Sequence, residues 1–223
     1  MSDIAKSVEN IKKQIANGNA YGEKVTLVAA TKMQTAQDIN QAIAAGVDAV
    51  AENKAQEFRD KYGEVNVCPR HFIGHLQTNK LKYIVGNVDL IHSCDRDELL
   101  AEISKLSIKK GVTSNVLLQI NIGEEDSKGG YAYEDAQAAF LRAVQTPNVC
   151  VQGFMAMLPE TDEHTHLRAL VRKMRTLFEW AKTQSNAVQH LSMGMSGDYL
   201  LCIQEGSNMI RVGSTIFGAR NYQ

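Results

Sequence analysis

The stretch Val25-Thr26-Leu27-Val28-Ala29-Ala30-Thr31-Lys32 is a run of apolar and β-branched residues that ends in a lysine. A continuous apolar run is what a parallel strand covered on both faces requires, because neither face meets water. Side chains alternate across a strand, so Lys32 shares its face with Ala30, Val28 and Thr26, small or medium residues that leave room around an amine. A partly desolvated lysine holds its proton less tightly, and the neutral amine can attack a carbonyl to form a Schiff base. Lys32 is therefore a candidate reactive residue, against the plainer reading of a strand-end lysine with its head in water.

Working outward, the pattern of the first strand recurs. Ile4, Val8, Ile11 and Ile15 stand at helical spacing and Gly18 stops them, which predicts an amphipathic N-terminal helix over 3–17. After Lys32, Thr35 and Asp38 make a capping-box signal for a helix that Gly46 ends. Strands are then predicted at 49–53, 70–74, 90–94, 116–122, 149–158, 190–194 and 209–213. Helices are predicted at 55–62, 78–85, 95–111, 134–144, from Thr161 onward and at 196–204, with a last turn or helix at 214–220. Asp95 with Glu98 reads as the cap of the helix at 95–111. The apolar face of the longest helix is Leu167, Leu170, Val171, Met174, Leu177 and Phe178.

Eight alternating strand and helix units with short connections predict an α/β fold, a single (β/α)8 barrel over 25–220 preceded by an extra helix, with all of 1–223 forming one domain. An open doubly wound sheet is the alternative arrangement of the same elements.

Composition narrows the function classes. The chain has 223 residues, 44% hydrophobic and 22% charged, with a formal net charge of -1. That balance supplies no electrostatic footprint for nucleic acid. The chain shows no signal-peptide order at its start and no stretch apolar enough to span a bilayer. Cys68, Cys94, Cys150 and Cys202 are widely spaced, with no Cys-x-x-Cys pair, so a cytoplasmic protein with free thiols and no structural zinc is expected. His164 and His166 are the sole close histidine pair. Two positions apart on a helix they do not face one way, so no metal site is expected. A monomer is expected, since no long exposed apolar surface shows in the sequence.

Working residues of such barrels sit at the C-terminal strand ends, and phosphates bind after strands seven and eight. Here those ends carry Lys32, Glu52-Asn53, Gly74-His75, Gly194-Met195-Ser196-Gly197 and Arg211-Val212-Gly213-Ser214-Thr215. Ser196-Gly197 and Gly213-Ser214 each set a small residue and a hydroxyl where a helix begins, so two sets of backbone N–H groups can meet one anion. Arg211 points to the barrel centre one pleat below Gly213. From spacing alone it serves either a ligand or a buried salt bridge to Glu52 or Asp198. Asn53 and His75 read equally as turn and strand-end residues.

Val25 to Lys32, Ala51-Glu52-Asn53-Lys54-Ala55-Gln56-Glu57, His71-Phe72-Ile73-Gly74-His75-Leu76-Gln77-Thr78-Asn79-Lys80, Ser192-Met193-Gly194-Met195-Ser196-Gly197-Asp198-Tyr199 and Arg211 to Arg220, in that order, resemble the pyridoxal phosphate homeostasis proteins. The resemblance implies an alanine racemase-type barrel without the racemases' added β domain, and pyridoxal 5'-phosphate (PLP) held as a Schiff base on Lys32. It implies Arg211 at the pyridine nitrogen, Ser196, Gly213 and Ser214 at the phosphate, Asn53 near the ring and His75 at the pocket. Two departures are local: Ala51 stands where the family usually has glycine, and Thr31-Lys32-Met33-Gln34 where it has a Ser-Lys-Thr-Lys type of sequence. Ala51 raises the question of whether the second-strand turn needs a positive φ.

An arginine at the pyridine nitrogen donates a hydrogen bond and leaves the ring a weak electron sink. The resemblance thus implies a non-enzymatic carrier that buffers intracellular PLP, with no catalytic residue and with PLP-dependent enzymes as recipients. The alternatives are a PLP-dependent amino-acid racemase, which needs a second base such as Tyr199, and a cofactor-free Schiff-base aldolase.

Overall fold

The computed structural model describes residues 2–125 and 128–218. Helix α1 (Asp3–Ile15) comes first, capped by the Ser2 hydroxyl, which accepts from the Ala5 N–H. The elements then alternate: β1 (Thr26–Ala30), α2 (Ala36–Ala44), β2 (Ala49–Glu52), α3 (Ala55–Lys61), β3 (Arg70–Phe72), α4 (Leu81–Ile84), β4 (Leu90–Cys94), α5 (Asp97–Lys110), β5 (Ser114–Ile120), α6 (Ala136–Ala143), β6 (Val149–Ala156), α7 (His164–Gln184), β7 (His190–Ser192), α8 (Tyr199–Gln204), β8 (Met209–Val212) and α9 (Ser214–Phe217).

Among the described residues the eight strands are all parallel to their neighbours and close into a barrel in chain order. β8 pairs with β1, Val28 opposite Arg211 and Ala29 opposite Val212, and this closure excludes the open sheet. The alternation of β1 sorts its side chains as expected: Leu27 and Ala29 join the shell under the helices, and Val28 joins an interior group with Ala49, Ala51, Leu90, Leu117, Met155 and Met209. Each large aliphatic buried this way contributes roughly 1.5–3 kcal/mol. Helix α1 lays Val8, Ile11 and Ile15 against α2 and α9. The buried face of α7 is the predicted one, extended by Ala181 and by a charged residue, Arg175.

Several boundaries differ from the sequence reading, each for a local reason. The segment after Asp95 starts its helix at Asp97 with Arg96 at the cap and no side-chain cap bond. The Asp95 carboxylate is instead taken by Arg96 Nη1 and lies 3.3 Å from His75 Nδ1. The 78–85 stretch is a 3-10 turn, Thr78–Lys80, followed by the short α4. β5 begins earlier than predicted because the Ser114 N–H already bonds the Asn148 carbonyl, in register with β6. Thr161 does not open α7; its hydroxyl accepts from the Glu163 N–H one turn ahead of it. α8 starts at Tyr199 rather than Ser196. The cap at Thr35 forms as expected, its hydroxyl accepting from the Asp38 N–H and donating to the Asp38 carboxylate. Of the predicted last helix, Ala219 and Arg220 lie outside the described residues. No helix among the described residues is long and apolar enough to cross a membrane.

Candidate functional site

Strand adjacency brings most of the candidate residues onto one arc of the barrel mouth. β7, β8, β1, β2 and β3 are neighbours in that order, and Ser196, Gly213, Lys32, Asn53 and His75 follow their ends in the same order. Lys32 lies two residues past β1 and is half-buried. The chain is extended as far as Thr31, whose N–H bonds the Ala51 carbonyl at 2.8 Å, and alternation from Val28 and Ala30 assigns Lys32 to the inward face.

The two glycine-containing turns touch. The Ser196 hydroxyl accepts from the backbone N–H groups of Gly213 and Thr215, each at 3.3 Å. The main chain at Gly213 lies tight on β1: a Cβ there would sit 3.3 Å from the Ala30 carbonyl oxygen. Ser214 is exposed beside it. The Ser196 hydroxyl and the start of the helix at Ser214 thus lie together after β7 and β8, with the Gly213 and Thr215 N–H groups satisfied by Ser196. A cleft of about 1040 Å³ opens beside this turn, lined by Leu158, Met195, Ser196, Asp198, Leu200 and Thr215 among others.

Arg211 is buried in the barrel, 4% exposed. It makes no salt bridge to Glu52 or Asp198. Its Nη1 donates to the carbonyl and to the hydroxyl of Ser192, both at 2.7 Å, and its Nη2 to the Ala156 carbonyl at 3.1 Å. Glu52 is occupied by Thr31 and Lys61, and Asp198 by the Met195 N–H. Burial lowers the Arg211 pKa to about 10, which still leaves it charged at neutral pH. Three of the five N–H bonds of a guanidinium are used here, all by neutral acceptors.

Behind Arg211 runs a chain of buried polar groups that the sequence reading missed. Ser192 Oγ is 3.0 Å from His92 Nδ1, and His92 Nε2 is 3.0 Å from His71 Nδ1. Burial, with His190 adding to it, holds the His71 imidazole down at about 4, and burial drives His92 well below the ordinary histidine value. The available signal was alternation: His71 and His92 occupy inward positions beside the interior residues of β2 and β4, where a charged or exposed histidine has no place.

Asn53 and His75 meet through Gly74. A Cβ on Gly74 would lie 1.9 Å from the Asn53 carbonyl oxygen, so only glycine lets the β2 exit press against the β3 exit. Asn53 and His75 line a small cavity of about 120 Å³ with Gln56 and Lys80. The His75 side chain is 66% exposed and is oriented by Asp95. Ala51, which replaces the family's usual glycine, is fully buried within β2 and is not among the residues of positive φ; the turn makes no demand for glycine there. Tyr199 is buried, and its hydroxyl donates to Gln14 Oε1 on α1.

The fold is a closed parallel (β/α)8 barrel of the alanine racemase N-terminal class. The family model for the alanine racemase N-terminal domain matches residues 4–221. The chain is 36% identical over 222 residues to the pyridoxal phosphate homeostasis protein of Aquifex aeolicus, covering 98% of this chain and 97% of that one. The structure of PipY from Synechococcus elongatus with PLP bound superposes with a TM-score of 0.84 at 29% identity, covering 96% of this chain and all of that one. The alanine racemase of Clostridium difficile shares the fold at 15% identity and a TM-score of 0.76, but this chain covers only 58% of it. The chain belongs to the pyridoxal phosphate homeostasis branch of the alanine racemase N-terminal domain family.

Proposed function

We propose that this protein binds PLP reversibly, with the cofactor's aldehyde held as a Schiff base on Lys32, and buffers the supply of PLP without robust turnover. The observation that carries the reading is the disposition of three features on adjacent strands. A half-buried lysine follows β1, an arginine fixed by neutral acceptors lies in β8, and the Ser196 and Gly213–Thr215 groups follow β7 and β8. Bound PLP supplies an aldehyde, a pyridine nitrogen and a phosphate. Lys32 meets the first, Arg211 donates to the second without protonating it, and Ser196, Gly213 and Ser214 receive the third, with Asn53 and His75 flanking the ring.

An unprotonated pyridine nitrogen is a poor electron sink, which favours holding over transamination or decarboxylation. The Tyr199 hydroxyl is directed to Gln14 rather than left available as a second base, which weighs against the racemase alternative. The relatives' name and the PLP-bound neighbour support the same reading. We further infer one domain over 1–223 that acts as a monomer in the cytoplasm, with PLP-dependent enzymes as recipients.

Visible absorption before and after borohydride reduction, with peptide mass mapping, tests this. A coloured protein fixed by reduction at Lys32, with colour lost in Lys32→Ala, is expected. Amino-acid racemase activity that Lys32→Ala abolishes would overturn the carrier reading, and a protein left uncoloured by excess PLP would overturn the binding reading.

A further inference from the structure

Lys32 is flanked by two residues that are each pinned by a carboxylate. On its N-terminal side the Thr31 hydroxyl donates to Glu52 Oε1 at 2.8 Å. On its C-terminal side the Met33 N–H donates to Glu57 Oε2 at 3.0 Å. Lys61 joins the two carboxylates, its Nζ donating to Glu52 Oε1 and to Glu57 Oε2, each at 3.0 Å. Met33 is held at φ 64, a left-handed conformation that a methionine adopts only when its surroundings enforce it.

Glu52 is fully buried. A buried ion pair seldom stabilises a fold more than apolar residues of the same volume would, so its retention points to a role in specifying position. The geometry shows which position. Thr31 faces away from the barrel axis and Lys32 toward it, because successive side chains alternate. Tying Thr31 outward to Glu52 and turning the chain at Met33 onto Glu57 fixes the backbone from which the Lys32 side chain projects. Glu52 also accepts from the Asn53 N–H at 3.3 Å, so the same carboxylate orders the β2 exit. The hydrogen bonds from Met33 and Lys61 overcome burial and keep the Glu57 carboxyl below its ordinary range, hence ionised.

We propose that Glu52, Lys61 and Glu57 form a positioning clamp that aims the Lys32 amine into the barrel mouth and thereby sets how fast it captures an aldehyde. The inference rests on Lys32 being the residue that carries PLP, and its test separates the two. The protein, Thr31→Val, Lys61→Met, Lys61→Arg and Lys32→Ala are mixed with PLP, and the rate of the absorbance change and the borohydride-fixed adduct are read. Pyridoxine 5'-phosphate, which has no aldehyde, is titrated in parallel by calorimetry.

Thr31→Val and Lys61→Met are expected to form the adduct about tenfold more slowly, the scale of loss for a misaimed reacting group. Their affinity for pyridoxine 5'-phosphate stays unchanged, and Lys61→Arg recovers most of the rate. Should Lys61→Met fail to fold, Thr31→Val decides, since it keeps the volume of the side chain and leaves Glu52 paired with Lys61. Wild-type adduct rates in the clamp variants overturn the proposal, and so does an equal loss of pyridoxine 5'-phosphate binding, which marks a general collapse of the pocket. An adduct that persists in Lys32→Ala overturns the parent reading instead.

Discussion

Arg211 shows how one buried side chain dictates the state of its neighbours. A guanidinium can only donate, so the Ser192 hydroxyl accepts from it and must place its own proton elsewhere. His92 Nδ1 is the acceptor in reach, and His92 Nε2–H then donates to His71 Nδ1. Leaving the buried hydroxyl proton without an acceptor would cost about 1–3 kcal/mol. Nitrogen-15 NMR at neutral pH is therefore expected to find both histidines neutral with the proton on Nε2, and a proton on His92 Nδ1 would refute this order. Lys32 stood out as a candidate because an amine after an apolar run is visible in one dimension. Ser192, His71 and His92 were not, because what joins them is closure of β3, β4, β7 and β8 around one axis.

At the level of elements, the connections after β2 and β3 depend on one glycine. The 1.9 Å approach at Gly74 involves backbone, which cannot swing aside. Gly74→Ala is expected to cost about 1–3 kcal/mol in urea unfolding and to weaken PLP binding through displacement of Asn53. A variant of unchanged stability and affinity would show that the two exits are not coupled. Helix α3 serves the site without reaching the mouth, since it presents Glu57 and Lys61 one turn apart toward the back of β1 and β2. Helices α1, α2, α5 and α7 were readable from their apolar spacing, but several starting points were not. Asp95 carries a good capping side chain, yet its chain neighbour Arg96 and, across the fold, His75 take it first.

On the scale of the whole molecule, buried neutral histidines and a paired carboxylate give stability two separate acid limbs. His71 is held at about 4 against 6.5 ordinarily. As pH falls, the unfolded chain therefore takes up its proton first, and stability declines from about pH 6.5 to about pH 4. At about 1.4 kcal/mol per pH unit, His71 alone accounts for roughly 3 kcal/mol, and His92 acts in the same direction. The second limb belongs to Glu23 beneath the barrel. Burial raises its pKa, but hydrogen bonds from Arg175 and Asn19 outweigh that and hold it at about 2. Its contribution, present above its ordinary value of 4.5, is lost only as pH falls from there toward 2. Urea unfolding at pH 7, 5 and 3.5 is expected to show a clear loss already at pH 5, and stability level down to pH 5 would contradict the assignment of neutral interior histidines.

The sequence by itself determined the alternation of strands and helices, the lysine after the first strand and the glycine and hydroxyl turns after the last two. Those features are periodic or local, and a hydrophobic pattern or a turn residue acts on its own segment. Tertiary structure alone decided that the sheet closes, that Arg211 is anchored by Ser192 and Ala156 rather than by a carboxylate, and that Glu52, Lys61 and Glu57 brace the flanks of Lys32. Such pairings join residues that alternation places on one face of different strands, and no order along the chain fixes which of several carboxylates a given cation meets.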